Sequence, residues 1–133
     1  MTNYEKEIKD LHQFFEDYFV GRIPASAVTR FETSVAEGFH LVEASGKIIN
    51  REEIIAMMHG GYRHRDNCKI WIENTQLRQQ HGDLLIVSYE EWQTIDAITT
   101  SRTSTVVFRD DDTQPNGLIW LYVHESGLKD VDA

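Results

Sequence analysis

The sequence predicts an α+β fold in which a curved antiparallel sheet wraps around N-terminal helices and encloses a small-molecule pocket. Three observations carry this. Apolar residues recur at helical spacing near the start of the chain, at Ile8, Leu11, Phe15, Tyr18 and Phe19. Nearly everything beyond residue 68 reads as long strands separated by tight reversals. Those strands are apolar on more than one side, whereas a sheet with one wet face alternates apolar and polar residues.

Each element has its own local signal. Thr2 and Glu5 stand at capping-box spacing and open the first helix. Its wetter side carries Glu7, Lys9, Asp10, Glu16 and Asp17, and Gly21 is its stop. Pro24 fits the first turn of a second helix bearing Ala27, Val28 and Phe31, since proline's missing amide costs nothing there. Phe39, Leu41 and Val42 pair with Ile48 and Ile49 in a hairpin turning at Gly46. Asn50 and Glu53 repeat the capping pattern for a third helix through Ile54, Ile55 and Met58, closed by Gly60-Gly61. Strands are expected over 69–80, 84–95, 99–109 and 118–124, with turns at Gly82-Asp83 and at Asp96 to Ile98 and a polar loop over 110–117.

The length of 133 residues suits one domain, spanning 1–133. A net charge of −9 repels phosphate backbones and argues against nucleic acid as a partner. The one basic cluster, Arg63-His64-Arg65, is cut short by Asp66. Cys68 is the only cysteine, so no intrachain disulfide can form. With no signal-peptide pattern and no long apolar run, the expected setting is the cytoplasm, away from the membrane. The six histidines lack metal-ligand spacing, and no phosphate loop or nucleophile elbow is present, so neither a metal nor a cofactor is expected.

If the hairpin between the second and third long strands reverses about Ala97-Ile98, Tyr89 lies opposite Val106 and Val87 opposite Phe108. Glu91 then meets Ser104, and Gln93 meets Arg102. This face runs from apolar to charged, as a pocket wall would, or as a core face fraying into solvent would. The other face carries Ile86, Trp92, Thr103, Thr105 and Val107, too apolar for an exterior, and predicts a homodimer. Arg102 is the first candidate ligand anchor, either a bidentate carboxylate binder or the ion-pair partner of Glu91. Tyr89 and Ser104 share its face. His124, if it points inward with Trp120 and Tyr122, can act as a general base or donor, and Glu91 as a proton acceptor. Tyr62, just past the double glycine, stands at the mouth or plugs it.

The order of elements resembles the nuclear transport factor 2-like cone fold. Phe39-His40-Leu41-Val42-Glu43-Ala44-Ser45-Gly46, Arg51-Glu52-Glu53-Ile54-Ile55 and Gly82-Asp83-Leu84-Leu85-Ile86-Val87 are similar to its SnoaL-like, domain-of-unknown-function members. So are Ser101 to Arg109 and the ending Trp120-Leu121-Tyr122-Val123-His124-Glu125-Ser126. The resemblance covers nearly the whole chain. It implies a cone enclosing a cavity, usually dimeric through the sheet. It does not imply one activity, because the fold hosts isomerases, dehydratases, binding modules and assembly domains. From ketosteroid-isomerase-like members, Tyr18 would supply a helix-borne hydroxyl, but residues 25–33 offer only Glu32 as an acid. The function expected is binding of a polar or anionic small molecule. The alternatives are a cofactor-independent lyase or isomerase, or a dimerisation and assembly domain, and whether the chain is an enzyme stays open.

Overall fold

A computed structural model describes residues 3–130. The first helix, α1, spans Tyr4–Val20, and Asn3 caps it by accepting from the Lys6 amide at 3.1 Å. The Thr2 cap read from the sequence lies outside the described residues. At the other end Gly21 takes a left-handed φ of 82° and closes α1 onto the carbonyls of Asp17 and Tyr18. The loop after the third helix completes that cap, with the amides of Arg63 and Arg65 donating to Tyr18 and Phe19. A short 3-10 turn, Ala25–Val28, leads into α2, Thr29–Ser34. The third helix, α3, spans Arg51–Gly61 and opens on a full capping box between Asn50 and Glu53, as the spacing predicts.

Six strands, β1 (Val35–Val42), β2 (Ile48–Asn50), β3 (Lys69–His81), β4 (Leu84–Ile95), β5 (Ile98–Asp110) and β6 (Leu118–Asp130), form one sheet ordered β2-β1-β6-β5-β4-β3. The expected antiparallel arrangement holds except at β1 and β6, which run parallel, so the curved, unclosed sheet is mixed. A parallel pair needs a long crossover, and the chain from β2 through β5 supplies it. The helices cover one face. Ile8, Leu11 and Phe14 of α1 and Phe31 of α2 meet Val87, Val106, Phe108 and Trp120 of the sheet in a continuous core. Burying each large aromatic or aliphatic side chain there contributes about 1.5–3 kcal/mol. No helix among the described residues is long and apolar enough to cross a membrane.

One register and one strand alternation differ from the sequence reading. The β4–β5 hairpin reverses at Asp96-Ala97, where both residues have positive φ (51° and 67°), leaving Ile95 opposite Ile98. Such a two-residue turn matches the twist of the flanking strands. Tyr89 therefore faces Ser104, and Glu91 faces Arg102 directly. The displacement is two residues, so every side chain keeps its expected face. The β5–β6 pairing has a more consequential break. Phe108 pairs with Trp120 but Val107 pairs with Tyr122, leaving Leu121 as the extra residue of a bulge. Beyond it the alternation of β6 inverts. Val123 and Glu125 point inward, while Tyr122 and His124 point outward.

The wet side assigned to α1 also needs correction. Glu7 is 1% exposed and Glu16 is buried. Glu7 accepts from Trp120 Nε1 at 2.7 Å, Asn116 Nδ2 at 2.9 Å and Arg30 Nη2 at 3.0 Å. Glu16 accepts from the Ile70 amide at 2.8 Å and Arg22 Nη1 at 2.7 Å. Both carboxylates tie α1 to distant parts of the chain and are satisfied where they are buried, which is the condition for burying a charge at all.

Candidate functional site

Between the helices and the concave sheet face lies a cavity of about 300 Å³. Most of its wall is apolar, with Phe15 and Phe19 from α1, Phe31 from α2, Val35 and Phe39 from β1, and Met58 from α3 among its residues. One end is different. His12, Glu43, Glu91, Arg102 and Glu125 all reach it, with Tyr89 and Trp120 beside them. Four of these five ionisable residues are placed by the sheet. Glu91 and Arg102 sit opposite each other on β4 and β5, Glu125 is brought in by the Leu121 bulge, and Glu43 follows Val42, the partner of His124.

The charges are arranged in two pairs. Arg102 Nη1 donates to Glu125 Oε1 at 3.1 Å. His12, 3% exposed, stands between two acceptors, with Nδ1 2.8 Å from the Ile8 carbonyl and Nε2 3.2 Å from Glu91 Oε1. A carbonyl only accepts, so Nδ1 carries a proton. A second proton must then lie between Nε2 and Oε1, because two lone pairs facing each other at that distance repel. Burial pushes the Glu91 carboxyl up, but His12, with Arg102 adding to it, outweighs this and holds it below the usual glutamate range. Glu125 goes the other way. Burial raises it, Arg102 opposes, and the neighbouring Glu91 and Glu43 add to the rise. Burial, reinforced by Glu91 and Glu125, keeps the Tyr89 phenol protonated well above its ordinary range. Ser104 is buried opposite Tyr89, whose phenol lies beside it, yet no partner meets its Oγ with good hydrogen-bond geometry.

Of the residues singled out from the sequence, Arg102, Tyr89, Glu91 and Trp120 line the cavity together. Tyr18, Tyr62, Ser104, Tyr122 and His124 are not among its lining residues. Tyr18 is packed against Phe14 and Tyr62, with ring centroids 5.4 Å and 5.0 Å away. Tyr62 donates its hydroxyl to the Ile23 carbonyl at 2.9 Å, outside the cavity lining. His124 is exposed on the outer face with Tyr122 beside it, because the bulge inverts β6. Arg102 has its ion pair with Glu125, not with Glu91.

Sequence reasoning missed His12, Glu43 and Glu125. His12 had a signal, since it falls on the stripe of Ile8, Leu11 and Phe15, where a polar side chain faces the core. Glu125 had none, because β6 is apolar on both sides of Leu121 and nothing marks the bulge. Among the described residues no group of three His, Cys, Asp or Glu side chains is placed to hold a metal ion.

The fold is that of the nuclear transport factor 2-like superfamily. Within it, the chain belongs to the family described as sucrose-6-phosphate phosphohydrolase C-terminal, whose model matches residues 5–129. A nuclear transport factor 2-like protein of unknown function from Pseudomonas aeruginosa is similar at 26% identity and a TM-score of 0.85, over 92% of this chain and 96% of that one. A nuclear transport factor 2-like protein of unknown function in nutrient uptake from Rhodospirillum rubrum shares the fold at 17% identity and a TM-score of 0.61, over 86% and 95%. The CaMKII hub of S. rosetta does so at 19% identity and a TM-score of 0.61, over 77% and 86%. No curated protein matches the chain.

Proposed function

We propose that this chain is a single small-molecule-binding domain whose ligand lies in the cavity with a polar head at the charged end. The supporting observation is the polarity gradient of the cavity, an apolar wall ending on His12, Glu91, Arg102 and Glu125. The ligand that fits is amphiphilic, with an apolar body against the phenylalanines. The anionic ligand expected from Arg102 loses its basis, because the guanidinium is already paired with Glu125 and two further carboxylates line the same end. The matched family takes its description from a phosphohydrolase. A phosphorylated occupant would meet the same surplus of carboxylates here. A cytoplasmic setting belongs to the same reading and is supported by Cys68, a free buried thiol.

A fragment titration followed by 1H–15N NMR tests the reading. Bound fragments are expected to move the Arg102 Nε–H and the amides of Glu91 and Glu125, and filling the cavity with Val123→Phe should abolish the effect. Fragments that bind but move none of these signals would take the cavity out of the account.

A second reading has one observation of its own, the 3.2 Å contact between His12 Nε2 and Glu91 Oε1 in a mostly apolar cavity. That pair supports proton transfer by a lyase or isomerase needing no cofactor. Incubating 4-phenyl-2-butanone with the protein in D2O should give exchange α to the carbonyl above the buffer background, lost in Glu91→Gln. Background-level exchange in the unsubstituted protein would remove this reading.

A homodimer through the outer sheet face is part of the proposal. It is supported by the half-exposed Ile86, Trp92, Val107 and Tyr122 on that face. A protein of the same fold is described as a CaMKII hub, which is compatible with assembly through this fold.

A further inference from the structure

We infer that the cavity is selective for a small amine, an apolar body carrying a single ammonium head that sits against Glu43 and Glu125. This deepens the ligand-binding reading above and rests on it. The inference comes from counting charge at the polar end. His12 and Glu91 share one proton beyond the one on Nδ1, so the pair is neutral whether that proton lies on Nε2 or on the carboxyl. Arg102 and Glu125 form a second pair, again neutral. Glu43 is left over. It lines the cavity, stands close enough to Glu125 to raise its carboxyl, and has no ion pair among the described side chains.

The cavity end therefore carries one negative charge without an ion-pair partner beside a mostly apolar wall. A ligand with one positive charge neutralises it. A neutral head leaves it, and an anionic head doubles it. The rest of the wall selects the body. With most lining side chains apolar, a polyol would leave its hydroxyls without partners, at a cost for each one. Phe15, Phe39 and Trp120 line the same space, and aromatic faces add attraction for a cation. The volume holds about ten water-sized units, which suits an amine with one ring.

Isothermal titration calorimetry of the full chain at neutral pH and physiological salt tests this with three probes of one shape, 2-phenylethylamine, 2-phenylethanol and 3-phenylpropionate. The amine is expected to bind about tenfold more tightly than the alcohol or better, and the carboxylate to give no heat. Glu43→Gln should bring the amine down to the alcohol's affinity. Equal affinity for amine and alcohol overturns the charge inference while leaving the cavity as a binding site. A preference for the amine that survives Glu43→Gln also overturns it, by taking the charge away from Glu43. Silence with all three probes, in protein whose circular dichroism is native, overturns both the inference and the binding reading beneath it.

Discussion

Two acids of α1, Glu7 and Glu16, are buried where helical spacing assigns them to the wetter side. Glu7 illustrates the energetics, because its three donors come from β6, the polar loop and α2. Removing the carboxylate strands a buried indole N–H and an amide, so Glu7→Ala should lower stability by about 3 kcal/mol. The exposed Glu5→Ala should change it by less than about 0.5 kcal/mol. Urea denaturation of the two variants measures the contrast. Glu91 gives a pH prediction. Its carboxyl is held lower in the folded protein than in the unfolded chain, since His12 and Arg102 outweigh burial. The stability it contributes is therefore full above the ordinary glutamate range and lost as pH falls through the depressed folded value. The stability gap between the unsubstituted protein and Glu91→Gln should be present at neutral pH and shrink on acidification, in parallel urea titrations. A gap independent of pH would show that the carboxyl is not depressed.

At the scale of single elements, backbone conformation decides which side chains meet. The Asp96-Ala97 turn holds two non-glycine residues at positive φ. Replacing them with Asn-Gly, the pair that favours this turn, should stabilise the protein by about 0.5–1 kcal/mol, seen as a raised thermal midpoint. Gly21 is the opposite case. Its φ is positive, and an added Cβ would lie 2.5 Å from Arg63 Cγ. Gly21→Ala should cost about 1–2 kcal/mol and loosen the 62–65 loop, read by hydrogen exchange at the Arg63 and Arg65 amides. The Asn50 cap of α3 and the spans of β3 and β4 were legible in the sequence because their signals are local, whereas β6 runs to Asp130, past the expected end at 124. Asn50-Glu53 and Gly82-Asp83 act within a few residues of themselves. The Leu121 bulge was not legible, because it satisfies the pairing of β6 with both β5 and β1 at once.

For the whole molecule, the two faces of the sheet differ in what covers them. The inner face is covered by helices and leaves a cavity, while the outer face keeps Trp92, Val107 and Tyr122 partly exposed. The stacked Trp71 and Trp92, 6.0 Å apart, belong to that side too. If a second copy covers it, sedimentation velocity at micromolar concentration should give twice the 15.4 kDa chain mass. Val107→Glu with Tyr122→Glu should then return a folded monomer. A monomeric unsubstituted protein would leave the outer face without a role in assembly. Edge strand β3 is less suited to such contact, because shifts near Asn74 and Arg78 break its register.

By itself the sequence determined the elements, their order, the inner and outer faces of β4 and β5, and the likeness to a cone-shaped fold. Those features follow from periodicity, caps and turns, each set by neighbours a few residues away. It also pointed to Arg102, Glu91, Tyr89 and Trp120 as neighbours in space. Only the tertiary structure decided what Arg102 does there. A one-residue bulge put Glu125 inside and His124 outside, and the packing of α1 carried His12 to Glu91. The first depends on a register shared by three strands, and the second on a contact between residues 79 apart in the chain, His12 and Glu91. Periodicity within one strand cannot reveal either. The curved sheet is the one the sequence predicted, and the charge balance inside it belongs to the fold.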